Sequence, residues 1–273
     1  MPRLNRVLAS AAAALIAAIS LSTAASAGLT DVSAPEAVPP KLDATRRLLE
    51  NARERYGALR GYQARYEKDE IDTGGRLRKE RSFLKFDKPF AIYMIWSEGE
   101  RKGTQLLYAQ DHFDDKMIVQ LPGLIFNFIG PVTVATDDPR VQKDQKHSIK
   151  KAGIGFFLED LWGDFERLNP RGGIRVRDVK EGVDVEGDRG TLVDLELLDP
   201  SENYPHKAVV FSDATGLPTE IRLFKSGPEP VETYRYLDVV PNPPANDPAF
   251  QKIANPALFK KYAEATTPAS PKA

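Results

Sequence analysis

The chain has 273 residues, 41% of them hydrophobic and 28% charged, with a formal net charge of −1; this balance allows a sizeable buried core and excludes a disordered or collagen-like protein. No basic excess points to nucleic acid as a partner. Cysteine is absent, which excludes disulfides, thiol catalysis, iron–sulfur clusters and thiolate zinc sites.

In chain order, an export signal comes first. Arg3 and Arg6 precede an apolar stretch over residues 7–21, and Ala25-Ser26-Ala27 forms a small-residue cleavage site before Gly28. Ser20, Ser22 and Thr23 interrupt the run of about 20 apolar residues that a membrane span needs, so residues 1–27 read as a signal peptide cleaved after Ala27. The new N-terminus has no cysteine to carry acyl chains, so the expectation is a soluble exported protein in a bacterial periplasm. Residues 28–41, with Pro35, Pro39 and Pro40, read as a linker.

A helix follows, because Leu42, Thr45, Leu49, Ala52, Tyr56 and Leu59 recur at steps of three and four, with Gly57 as a stop. Over residues 61–122 the period changes to two, and strands are predicted at 62–67, 77–86, 90–97, 104–110 and 117–121. Their short connections imply an antiparallel meander. Residues 122–135 are apolar without clear period, and residues 143–151 form a charged loop. The second helix has the clearest pattern: Ile154, Phe157, Leu158, Leu161, Trp162, Phe165 and Leu168 share one stripe. Strands at 174–179, 191–198, 206–212, 219–225 and 231–240 come next. This order predicts an α+β fold, one strongly curved antiparallel sheet of about ten strands with helices on one side. A single domain spans residues 42–262, and residues 263–273 read as a disordered tail.

Catalytic motifs are missing. His112, His147 and His206 form no local pair for a metal, and there is no G-x-S-x-G elbow or Walker loop. Gly153-Ile154-Gly155 lacks the third glycine of a dinucleotide fingerprint. Glu159, Asp160 and Asp164 read as a solvated helix face, Asp184, Glu186 and Asp188 as a hairpin turn, and Arg78, Lys79, Glu80 and Arg81 as sheet surface facing water. No catalytic residue, metal or cofactor is expected.

What remains is apolar. Phe90, Ile92, Met94 and Trp96 share one face of a strand whose other face holds Tyr93 and Ile95, so that strand is central or covered. With Phe157, Leu158, Leu161 and Trp162, these residues form either plain core or the wall of a cavity between curved sheet and helix. Each buried methylene contributes about 0.8 kcal/mol, so about ten would supply roughly 8 kcal/mol toward holding an acyl chain, before ordering costs.

The run Phe83-Leu84-Lys85-Phe86-Asp87-Lys88-Pro89-Phe90-Ala91-Ile92-Tyr93-Met94-Ile95-Trp96, followed by residues 103–108, His147-Ser148-Ile149 and Ala152-Gly153-Ile154, resembles the domain-of-unknown-function 1571 family of exported bacterial proteins. The resemblance covers about residues 50–240. The architecture is also similar to the LolA type of periplasmic lipoprotein carrier, and the segment Tyr234-Arg235-Tyr236-Leu237-Asp238-Val239 with Asn242 is similar to the end of that fold. The resemblance implies a half-barrel with helices covering its concave face. It transfers no ligand residue.

The function expected from this reading is a periplasmic carrier or chaperone, not an enzyme. It would hold a lipid, or the acyl chains of a lipoprotein, against Phe90, Ile92, Met94, Trp96, Phe157, Leu158, Leu161 and Trp162, with residues 122–135 and the helix as a lid and only transient membrane contact. The alternative is a cell-envelope sensor or adaptor that binds a protein partner through the same fold.

Overall fold

The computed structural model describes residues 40–72, 74–139, 147–244 and 247–266. The expected signal peptide, nearly all of the expected linker and residues 267–273 of the expected tail lie outside the described residues.

Helix α1 (Pro40–Ala58) leads into six strands: β1 (Gly61–Ile71), β2 (Leu77–Asp87), β3 (Ala91–Glu98), β4 (Gln105–Ala109), β5 (Lys116–Gln120) and β6 (Val132–Ala135), with a short helix α2 (Leu124–Ile129) before β6. Helix α3 (Ile154–Leu168) precedes β7 (Ile174–Val185), β8 (Asp188–Leu197), β9 (His206–Ser212), β10 (Pro218–Phe224) and β11 (Glu232–Pro241). Two helices close the order, α4 (Pro248–Ile253) and α5 (Pro256–Thr266). The strands form one curved, unclosed antiparallel sheet in the order β6-β5-β4-β3-β2-β1-β11-β10-β9-β8-β7. Two meanders are thus joined along one seam, where β1 pairs with β11 from Tyr62↔Pro241 to Glu70↔Glu232.

The sheet has eleven strands where about ten were expected. The added one is β6, from the stretch without period. Residues 180–185 also extend β7, because Glu186 and Gly187 take positive φ and close a tight hairpin onto β8. This turn accounts for the acidic residues at 184–188.

Alternation sorts side chains to the two faces. Tyr62, Ala64, Leu84, Phe86, Ile92, Met94, Trp96, Tyr234 and Tyr236 pack with Leu49 and Ala52 of α1 and with Ile154, Leu158, Leu161 and Phe165 of α3. Gly153 starts α3 at φ 101°, which a side chain rarely adopts, and the Tyr62 hydroxyl accepts from the Ile154 N–H at 3.0 Å. Helices α1 and α3 meet at Gly155, where a Cβ would fall 2.4 Å from the Tyr56 ring. Beside that contact, the Arg53 guanidinium donates twice to Glu159, each at 3.1 Å.

The opposite face is covered too, which the one-sided expectation omitted. Tyr93, Ile95, Leu107 and Ile118 lie under Phe250, Leu258, Phe259 and Tyr262 of α4 and α5. Strand β3 is therefore buried on both faces from Ala91 to Trp96. Helix α5 is capped by Asn255, whose Oδ1 accepts from the N–H groups of Ala257 (3.0 Å) and Leu258 (3.2 Å), with Pro256 in the first turn. It runs to Thr266, beyond the expected domain limit at 262. Farther along that same face, across β2, β1, β11 and β10, ion pairs replace apolar cover: Arg81–Glu67 (3.1 Å), Arg81–Asp69 (2.8 Å) and Arg235–Glu220 (2.6 Å).

Candidate functional site

Between the sheet and α3 lies a cavity of about 300 Å³. Its wall changes character along the sheet. Met117 of β5, Leu106 of β4, Met94 and Trp96 of β3 and Leu84 of β2 make one end mainly apolar, with Glu80 of β2 and Lys68 of β1 beside them. Tyr66, Tyr234 and Tyr236 of β1 and β11 line the middle, and Phe156 and Phe157 cover it from α3. At the other end stand Lys207 of β9, Asp160 and Asp164 of α3, and the segment Ser201, Glu202, Asn203 and Tyr204.

Of the eight residues expected to line a cavity, Met94, Trp96 and Phe157 are on this wall. Phe157 lies half-buried, its ring 4.8 Å from that of Tyr234. Ile92, Leu158 and Leu161 are buried in the core between helices and sheet. Phe90 packs edge-on to Phe86 (5.2 Å) and Tyr108 (5.7 Å). Trp162 stacks on Phe165 with the Arg53 guanidinium 4.6 Å above its ring. The main apolar stripe of α3 is core, and a second stripe at 157, 160 and 164 faces the cavity. Among the described residues, 122–135 contributes nothing to the wall; the segment across the cavity is His147, Ser148, Ile149, Lys151 and Ala152.

Two polar clusters organise the charged end. Glu232, with its side chain 0% exposed, accepts from the Tyr204 hydroxyl (2.5 Å) and the Tyr234 hydroxyl and bonds His147 Nε2 (3.1 Å). Burial alone would raise the pKa of this carboxyl; the hydrogen bonds from His147, Tyr204 and Tyr234 outweigh it and bring it down to about 2. Burial pushes both tyrosine hydroxyls up, and the neighbouring carboxylate adds to this. The buried Lys207 ammonium donates to Asp160 (2.8 Å) and Asp164 (2.5 Å). Burial alone would lower its pKa, and the two carboxylates hold it above the ordinary lysine value instead.

These groups went unread in the sequence. Asp164 is 8% exposed, not solvated, because it joins Lys207 to Arg167 (2.8 Å). Glu80 likewise faces the cavity, where it accepts from the Trp96 indole N–H at 3.2 Å. The available signal was a carboxylate pair at i, i+4 beside an apolar stripe, with one lysine directly before the apolar run 208–211 of β9.

A second feature lies outside the cavity. Leu124 (89% exposed), Ile125 (73%), Phe128 (95%) and Ile129 (62%) leave much of α2 apolar and bare. Among the described residues no group of side chains is arranged to hold a metal ion, and no helix is long and apolar enough to cross a membrane.

The curved sheet and its covering helices place the molecule among the α+β half-barrels. The chain belongs to the family described as "Protein of unknown function (DUF1571)", whose profile matches residues 59–259. This is the family that residues 83–96 resemble, and the match reaches into α5. No curated protein matches the chain. Among solved structures it is similar to a putative outer membrane lipoprotein-sorting protein domain from Vibrio parahaemolyticus (11% identity, 78% of this chain, 99% of that chain, TM-score 0.34). It is also similar to the lipoprotein LppX from Mycobacterium tuberculosis (9% identity, 73% and 94%, TM-score 0.40). The Pseudomonas aeruginosa MucA/MucB complex is a third (13% identity, 81% and 62%, TM-score 0.33).

Proposed function

We propose that this protein is an exported periplasmic carrier or chaperone that holds a lipid, or the acyl chains of a lipoprotein, in the cavity under α3. The observation that carries the reading is the wall itself: Leu84, Met94, Trp96, Leu106, Met117 and Phe157 line a partly open cavity of about 300 Å³. Hydrocarbon entering such space leaves water for a largely apolar wall, on which the Trp96 indole N–H and the Glu80 carboxylate are already paired with each other at 3.2 Å. Holding and release need no reacting group, so the reading is one of binding and not catalysis.

Lipid extraction and mass spectrometry of protein purified from its native periplasm test the proposal. A stoichiometric acyl species is the expected result; protein that carries none, and binds no acyl probe at micromolar concentration, would overturn it. A second reading, a sensor or adaptor with a protein partner, is favoured by the bare apolar surface of α2. For that reading Leu124→Ser with Phe128→Ser would abolish partner binding and leave acyl binding intact.

A further inference from the structure

We infer that the ligand's polar head is uncharged and hydroxylated, as in an acylglycerol, rather than a free carboxylate or a phosphate. The inference rests on the acyl-cavity reading above and adds the direction and chemistry of the ligand. Direction follows from the wall: apolar side chains come chiefly from β2 to β5, where Glu80 and the neighbouring Lys68 of β1 are the charges, and the larger charge cluster comes from β9 and the facing part of α3, several strands away in the sheet order. An acyl chain then lies toward β5 with its head beside Lys207, Asp160 and Tyr204.

The chemistry follows from how those charges are already used. Lys207 is held by Asp160 (2.8 Å) and Asp164 (2.5 Å). Arg167 holds Asp164 (2.8 Å) and Glu202 (2.5 Å). Nearer the apolar end, Lys68 pairs with Glu70, and Glu80 bonds the Trp96 indole and faces Arg101 at 3.6 Å. Lys151 lies exposed at the rim, where an ion pair would be weak. An anionic head would have to leave water to reach cations whose carboxylates are already in place, and burial of a charge without a matched partner is costly. A hydroxyl both donates and accepts. On the cavity wall the Asn203 amide and the Ser148 hydroxyl can donate, while the oxygens of Tyr204 and Tyr234, which give their protons to Glu232, keep lone pairs that accept.

Displacement of the uncharged dye N-phenyl-1-naphthylamine from the full exported chain tests this with three ligands of one chain length: monolaurin, laurate and dodecylammonium. At neutral pH monolaurin should displace the dye at a concentration about tenfold below that of either ion. Asp160→Asn removes one of the two carboxylates on Lys207, at a half-exposed position that tolerates exchange, and should raise the relative affinity of laurate several-fold. Laurate or dodecylammonium binding as well as monolaurin, or an unchanged laurate ratio in Asp160→Asn, would overturn the inference and leave the acyl cavity standing. If none of the three displaces the dye, or the dye does not bind, the cavity reading falls and this inference falls with it.

Discussion

Glu232 illustrates how a single buried group ties the cavity wall to pH. Its carboxyl falls from 4.5 to about 2 in the folded chain, held there by His147, Tyr204 and Tyr234 against the opposing effect of burial. A folded-state pKa below the unfolded one means that the charged form stabilises the fold. That contribution, about 3 kcal/mol at 1.36 kcal/mol per unit, is complete above the unfolded value and is lost as the pH falls from about 5 toward 2. Denaturant unfolding at a series of acidic pH values should therefore show a shallower loss in Glu232→Gln than in the native chain. A pair of glycines in α3 gives a second prediction. Gly163 has nothing within 4 Å of its Cβ position, whereas the Cβ of residue 155 would meet the Tyr56 ring at 2.4 Å. Gly163→Ala should stabilise by about 1 kcal/mol through helix propensity. Gly155→Ala should destabilise by about 1–3 kcal/mol, because it forces α1 and α3 apart; thermal melts of the two variants should move in opposite directions. At this scale the sequence was least legible. Asp164 and Lys207 look like ordinary surface residues until the fold brings β9 under α3, and no local spacing encodes that meeting.

At the scale of elements, periodicity did well where one face is buried and for β3, apolar on both faces, and poorly where no face is buried. Helix α3 was legible to its ends, Ile154 and Leu168, because its core stripe is nearly continuous. Helix α2 and strand β6 were not, since five of the six residues of α2 are apolar and show no amphipathic period. Helices α4 and α5 were hidden by a Pro- and Asn-rich composition, although Asn255-Pro256 is itself a helix-start signal. The cover these helices give β3 should be costly to lose. Leu258, 0% exposed against the outer face of the sheet, should cost about 2–5 kcal/mol when replaced by Ala, as read by the denaturant midpoint. By contrast, Leu124→Ser and Phe128→Ser remove side chains that are 89% and 95% exposed, so stability should stay within about 0.5 kcal/mol. Solubility should rise.

At the scale of the molecule, the antiparallel class, the two meanders and the helix that covers them were all legible, since short connections and turn residues determine neighbours locally. The seam between β1 and β11 was not, because it pairs strands at opposite ends of the chain. That seam matters for function: Tyr66 on β1 and Tyr234 on β11 form the middle of the cavity wall and join the apolar half to the charged half. The central claim is that this joined wall encloses space for hydrocarbon. Titration of the exported chain with N-phenyl-1-naphthylamine, beside the variant Phe157→Glu, tests it most directly. Phe157 is half-buried on the wall and packs on Tyr234, so a charge there should lower the melting temperature without unfolding the chain at room temperature while opposing any apolar occupant. The native chain should show saturable fluorescence enhancement at micromolar dye, and the variant a response at least about tenfold weaker. Equal binding by the two proteins, or no saturable binding by the native chain, would contradict it.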